Sequence, residues 1–199
     1  MTTRLGRRGL AGVAVGLGVL AAIVRGPQQR PAAIDVAALA ETVEREGDHV
    51  TAIELAEWIK DRRRGLRVLD VRSAPEYAEY HIPTAANMPL RALPTAGLST
   101  TDTIVLYSAE GAHAAQGWVF LQALGHRRVY FLRGGLADWL QDVMNPSLPE
   151  HATPAETAAF ERAAPLARYF GGVPRKGAVA GEARPGEPSA IARTRRRGC

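Results

Sequence analysis

Residues 67–89, RVLDVRSAPEYAEYHIPTAANMP, contain the pattern from which the fold is predicted. The apolar run RVLDV predicts a buried strand, SAPEYAEY a short helix and AANMP a second strand. The alternation continues with a strand, a helix that ends at Gly125, and another strand, at residues 103–107, 112–124 and 128–132. Strands that alternate with helices at this spacing predict an α/β fold, with a mostly parallel central sheet covered on both faces.

The polar residues of this stretch follow a long and specific pattern, which resembles the D-V-R-x-x-x-E-[FY]-x-x-x-H-I-x-x-A-x-N-x-P signature of rhodanese-like domains. A second match lies further along, where LRGGLADW resembles the L-x-G-G-x-x-x-W ending of the same family. The resemblance covers about residues 49–143 and implies the three-layer rhodanese-like fold. The residues that carry it are Asp70, Arg72, Glu76, His81, Asn87, Gly134, Gly135 and Trp139.

The polar residues of the first match also have a physical interpretation of their own. Asp70 and Arg72 flank the end of a predicted strand, at the sheet edge where open α/β folds place their sites. Asp70, Arg72 and Glu76 are expected to form ion pairs that hold the fold together rather than to take part in chemistry. His81 is expected to brace a loop through a hydrogen bond.

The loop after the strand at 103–107 is the most informative site. The resemblance implies that active rhodaneses carry C-x-x-G-x-R here, a loop in which the cysteine thiolate accepts sulfur and backbone N–H groups stabilise the anion. This chain has Ser108, Ala109, Glu110, Gly111, Ala112 and His113. Gly111 keeps the loop shape, but a serine hydroxyl cannot hold a transferable sulfur as a thiolate does. Glu110 and His113 are also expected to weaken anion binding.

These residues predict a domain that is catalytically inactive as a sulfurtransferase and that binds a protein partner or a small anion. The alternative is a sulfurtransferase-like or phosphatase-like enzyme that uses the degenerate loop at Ser108. In one form of that alternative, Ser108 and His113 make a hydrolase pair that Asp70 orients. No metal and no cofactor are predicted. The only cysteine is Cys199, which excludes internal disulfides and cysteine-based zinc sites.

Composition and charge limit the class of protein. With 199 residues, of which 46% are hydrophobic, the chain is long enough for one domain with extensions. The net charge of +5 is uneven, because residues 1–30 and 171–199 each carry +5 whereas residues 31–170 carry −5. Since the folded part is acidic, no nucleic acid partner is predicted.

Residues 1–30 are predicted to be a membrane-targeting segment and linker, because the uncharged run 9–24 follows three arginines. We expect an uncleaved single-span anchor whose domain is periplasmic or otherwise extracytoplasmic, since more bases precede the run than follow it. Secretion after signal cleavage, including by a twin-arginine route, is the alternative. Gly12 and Gly16 form a small-xxx-small pair that would suit helix dimerisation, although so many glycines are also typical of a weak signal.

The remaining segments flank the domain. Residues 31–48 are predicted to be a helical extension, and Thr51 with Glu54 predicts a capping box at the start of the next helix. Residues 144–170 predict a second helical extension, interrupted at Pro165. Residues 171–199 predict a disordered basic tail, in which Cys199 is expected to be exposed and open to alkylation.

Overall fold

The protein is seen in a computed structural model that describes residues 35–177. The helices are α1 Val36–Glu44, α2 Ala52–Lys60, α3 Ala74–Glu79, a 3₁₀ helix Leu90–Thr95, α4 Ala112–Ala123, α5 Gly135–Asp138, a π-helical turn Trp139–Met144, and α6 Pro154–Tyr169. The strands are β1 His49–Val50, β2 Leu66–Asp70, β3 Ala86–Asn87, β4 Thr103–Tyr107, β5 Val129–Leu132, β6 Ser147–Leu148 and β7 Arg175–Lys176.

Five strands form one parallel sheet in the order β1-β5-β4-β2-β3, which confirms the predicted α/β fold with a parallel central sheet. β4 lies in the centre, and all five of its residues are buried. Because side chains alternate along a strand, β4 supplies both cores. Val105 and Tyr107 join Trp139 on one face, whereas Ile104 and Leu106 pack with Trp118 on the other.

Local hydrogen bonds fix where two helices begin. The predicted capping box at α2 is present: Glu54 N–H donates to Thr51 Oγ1 at 3.2 Å, and Thr51 N–H donates to Glu54 Oε2 at 2.8 Å. These bonds from Thr51 lower the pKa of Glu54. Thr153 and Glu156 form the same box at the start of α6.

Two predictions about the flanking segments are wrong. α6 runs without a break through Pro165, because Pro165 is exposed while its neighbours Ala164 and Leu166 are buried and hold the helix in place. The tail is not disordered from Gly171, since β7 pairs with β6 and Val173 N–H donates to Met144 O at 2.7 Å. Residues 171–177 therefore belong to the folded part.

The predicted membrane run 9–24 and the tail beyond residue 177, with Cys199, lie outside the described residues. Between residues 35 and 177, none of the helices has both the length and the apolar character needed to cross a bilayer. Within the predicted extension 31–48, α1 forms a helix that has no buried residue.

Candidate functional site

Ser108 is the first residue after β4, and its side chain is the centre of a closed loop. The residue is 3% exposed, and its Oγ accepts hydrogen bonds from Gly111 N–H at 3.1 Å and from Ala114 N–H at 3.4 Å. The loop therefore folds around the serine oxygen, which lies at the carboxyl edge of the sheet, directly before α4.

Gly111 makes the turn from the loop into α4. Its φ of 92° lies in the left-handed region, which suits glycine and strains other residues. The next two residues, Ala112 and His113, begin the helix, and their N–H groups donate to no acceptor within residues 35–177. Unpaired N–H groups at the start of a helix carry partial positive charge, so this end of α4 favours an anion.

The Gly134-Gly135 turn holds the loop from behind. Leu136 N–H donates to Ser108 O at 2.9 Å, and Ala137 N–H donates to Ala109 O at 3.1 Å. The two backbones approach so closely that a Cβ on Gly135 would lie 2.3 Å from Ser108 O and 2.7 Å from Gly111 N. Only glycine fits at position 135. The glycine pair therefore fixes the shape of the loop at residues 108–113, which we call the serine loop.

Asp70 and Arg72 form a buried ion pair at the end of the neighbouring strand, β2. Arg72 Nη2 donates to Asp70 Oδ2 at 2.6 Å and to Tyr80 O at 2.7 Å, and Arg72 Nε donates to both carboxylate oxygens. Burial alone lowers the pKa of Arg72, but the hydrogen bond and charge of Asp70 outweigh it and raise that pKa. Both carboxylate oxygens of Asp70 are thus hydrogen-bonded to the Arg72 guanidinium.

The other residues of the sequence match brace the loops around this pair. Asn87 Nδ2 donates to Arg72 O at 2.9 Å, and Trp139 Nε1 donates to Tyr80 Oη at 3.1 Å. His81 is exposed, stacks on the Tyr77 ring at a centroid distance of 4.0 Å and lies within hydrogen-bond distance of Tyr77 O. The structure brings none of these three side chains into hydrogen-bond contact with Ser108.

Glu76 belongs to the start of α3. Its Oε2 accepts a hydrogen bond from Ser73 N–H at 3.0 Å, so the carboxylate satisfies a backbone donor at the first turn of the helix.

A groove of about 580 Å³ opens beside the serine loop. Its walls are the chain around the start of α3, the 3₁₀ helix and one side of α4, and Ala109 of the loop contributes to its lining. The other lining residues are Val71, Arg72, Ser73, Glu76, Pro89, Leu90, Arg91, Pro94, His113 and Phe120.

A family model, that of the rhodanese-like domain, matches residues 51–142. The chain contains a rhodanese-like domain. A sulfurtransferase from Allochromatium vinosum is 29% identical over 85 residues, which make up 42% of this chain and 79% of that protein. The resemblance predicted from the sequence is confirmed for the domain.

Solved structures give similar matches. A protein from Bacillus halodurans is 33% identical, and the match covers 51% of this chain and 77% of that one with a TM-score of 0.42. A human single-domain sulfurtransferase is 25% identical, and the match covers 46% of this chain and 94% of that one with a TM-score of 0.43.

The structure does not bring Ser108, His113 and Asp70 together as the hydrolase alternative requires. Ser108 Oγ bonds to backbone N–H groups, His113 is exposed and makes no hydrogen bond to Ser108, and Asp70 is held by Arg72. Within residues 35–177, therefore, no side-chain base forms a hydrogen bond with the serine hydroxyl. In the part of the chain that the structure describes, no group of histidine, cysteine and acidic residues is placed to hold a metal ion.

Sequence reasoning missed one residue of this site, Tyr107. Its hydroxyl is buried beside the ion pair and accepts a hydrogen bond from Ile82 N–H at 3.1 Å. Burial, and then the negative charge of Asp70, raise the pKa of Tyr107 far above its usual range. Because Tyr107 is the last residue of the apolar run TIVLY, the sequence indicates only that it belongs to the core.

Proposed function

We propose that this rhodanese-like domain binds a small anion at the amino end of α4 and does not transfer sulfur. One observation carries the proposal: the side chain at the centre of the loop is the hydroxyl of Ser108, and its oxygen accepts the Gly111 N–H at 3.1 Å. Ser108 stands where the sulfur-carrying cysteine of the family is expected.

The chemistry of the two groups separates binding from turnover. Sulfur transfer by the family mechanism needs a thiolate that attacks the donor and holds the sulfur as a persulfide. A serine hydroxyl is a weak nucleophile unless a base activates it, and in the described part of the chain no side-chain base bonds to Ser108. The anion-stabilising part of the loop, by contrast, consists of backbone N–H groups that do not depend on the residue at position 108.

The side chains around the loop set an expectation for affinity. Glu110 and His113 are both exposed next to the amino end of α4. A carboxylate repels an anion, and a histidine is largely neutral near pH 7, so the binding is expected to be weaker than in a loop closed by arginine.

Two measurements on the full chain test this proposal, with Cys199 replaced by serine so that no thiol is present. Thiosulfate:cyanide sulfur transfer is expected to stay at background, and sulfate is expected to raise the midpoint of thermal unfolding. Sulfur transfer above background would refute the inactivity. A midpoint that sulfate leaves unchanged, in buffers of matched ionic strength, would refute the anion site.

We also propose that residues 9–24 hold the domain at a membrane, with the domain on the extracytoplasmic side. The support is the uncharged run with its preceding arginines. Detergent extraction of cells, combined with protease treatment of spheroplasts whose cytoplasmic membrane is intact, tests this arrangement. A chain recovered in the soluble fraction without detergent would refute the anchor, and a domain protected from external protease would refute the orientation.

A further inference from the structure

We propose that the groove beside the serine loop binds an organic anion, composed of an acidic head group and a flat apolar body, such as an aryl sulfonate or aryl phosphate. This inference rests on the proposed anion-binding function and extends it from the loop to a ligand class. The groove itself, with its charged and apolar lining, carries the argument.

The groove follows one side of α4. His113 and Phe120 both line it and lie seven residues apart, which places them on the same side of a helix and about 10 Å apart along its axis. His113 is in the first turn, next to the serine loop, whereas Phe120 is two turns further on. A ligand that reaches both residues must therefore be longer than an inorganic ion.

The opposite wall is held close to α4 by Gly117, which is buried. A Cβ at this position would meet three leucine Cδ1 atoms at 2.9–3.1 Å, those of Leu106, Leu93 and Leu90. The absence of a side chain lets the 3₁₀ helix Leu90–Thr95 pack directly on α4. Leu90, whose Cδ1 lies next to Gly117, lines the groove together with Pro94 and Phe120, so part of its lining is apolar.

The charges in the lining favour an anion at Arg91. Arg72 is neutralised by Asp70, while the exposed Arg91 forms no ion pair among residues 35–177. The one carboxylate of the lining, that of Glu76, belongs to the wall at the start of α3. An acidic head group is therefore expected at Arg91, the lining cation that no ion pair within residues 35–177 neutralises.

The size and exposure of the groove agree with this ligand class. A volume of about 580 Å³ lies within the range of roughly 300–1,000 Å³ that is typical of sites for small organic molecules. Phe120 remains 42% exposed, although it is a large apolar side chain in a concave surface. An aromatic body would cover Phe120, which an inorganic anion would leave in water.

The test compares three probes on the full chain: sodium 2-naphthalenesulfonate, inorganic sulfate and the neutral 2-naphthalenemethanol. Dissociation constants are measured by calorimetry at constant ionic strength. Naphthalenesulfonate is expected to bind at least tenfold more tightly than either of the other probes. Phe120→Ser and Arg91→Gln are each expected to weaken it at least fivefold.

Two matched variants control for changes away from the groove. Val119→Ser removes an apolar side chain from the same helix, 40% exposed but outside the lining, and Arg127→Gln removes an exposed cation elsewhere. Both are expected to bind naphthalenesulfonate as the unchanged chain does.

The three probes separate this inference from the proposed function. If sulfate binds and naphthalenesulfonate binds no more tightly, the groove inference is wrong and the anion site at the loop stands. If the neutral probe binds as tightly as the sulfonate, or if sulfonate binding survives both groove variants, the groove inference is also wrong. If no anion binds, both proposals fail.

Discussion

Replacing Gly135 by alanine tests whether the glycine turn shapes the serine loop. The added Cβ would lie 2.3 Å from Ser108 O, and the backbone at Gly135 has a φ of 60°, where a side chain costs about 1–2 kcal/mol. Relief of the clash separates the two backbones and breaks the bonds from Leu136 N–H and Ala137 N–H, each worth roughly 0.5–1.5 kcal/mol. The free energy of unfolding is therefore expected to fall by about 2–5 kcal/mol.

Urea denaturation followed by circular dichroism measures this loss, and Gly125→Ala is its control. Gly125 has a φ of 89°, but a Cβ there would meet nothing within 4 Å, so only the backbone cost of about 1–2 kcal/mol is expected. If the two variants lose the same stability within about 0.5 kcal/mol, the close approach of the glycine turn to Ser108 does not hold the loop together.

Three further predictions concern the ion pair, the loop and the capping boxes. Asp70→Ala is expected to cost about 3–5 kcal/mol in urea denaturation, because it leaves the Arg72 guanidinium buried without its carboxylate; a loss below about 1 kcal/mol would contradict this. In a chain with Cys199→Ser, the thiol of Ser108→Cys is expected to have a pKa below the usual value of about 8.5. Adding Glu110→Ala and His113→Arg to this variant is expected to give it sulfur transfer. The pKa is measured from the rate of iodoacetamide alkylation as a function of pH, and a value near about 8.5 would contradict the loop geometry. The pKa values of Glu54 and Glu156 are lowered in the folded chain, so the stability that these carboxylates contribute is present above their unfolded-state pKa and is lost as pH falls through their folded-state pKa. The double variant Glu54→Gln with Glu156→Gln is therefore expected to lose less of its free energy of unfolding between pH 7 and pH 3 than the unchanged chain does. An equal loss in both proteins would contradict the role of the two capping boxes.

The parts of the fold that the sequence predicted well depend on short-range patterns. The strand at 103–107 is a continuous apolar run because β4 is buried on both faces. The capping box of Thr51 and Glu54 links residues three positions apart, so both partners are visible in one short segment.

The parts that were missed depend on contacts between distant segments. β1, β6 and β7 have two residues each, too few to show the alternation by which a strand is recognised. The groove requires the 3₁₀ helix to meet α4 at Gly117, a residue that in the sequence resembles only a weak point in a helix. The loop residues around Ser108, by contrast, could be predicted from the family resemblance, because they form one short consecutive segment that can be compared with the family's loop pattern.

The closure of the serine loop does not require a nucleophile. The bonds that close it join backbone atoms, apart from those to the Ser108 oxygen, which accepts the Gly111 and Ala114 N–H groups as any acceptor of that size would. What the serine changes is the charge, because a thiolate would bring a negative charge to the amino end of α4 and a hydroxyl brings none. The partial positive charge at that end, equivalent to roughly half an elementary charge, is then not neutralised by the side chain at position 108. If Ser108 takes the place of the family's cysteine, the proposed loss of sulfur transfer leaves the proposed anion binding intact, because the Ala112 and His113 N–H groups do not depend on the side chain at position 108.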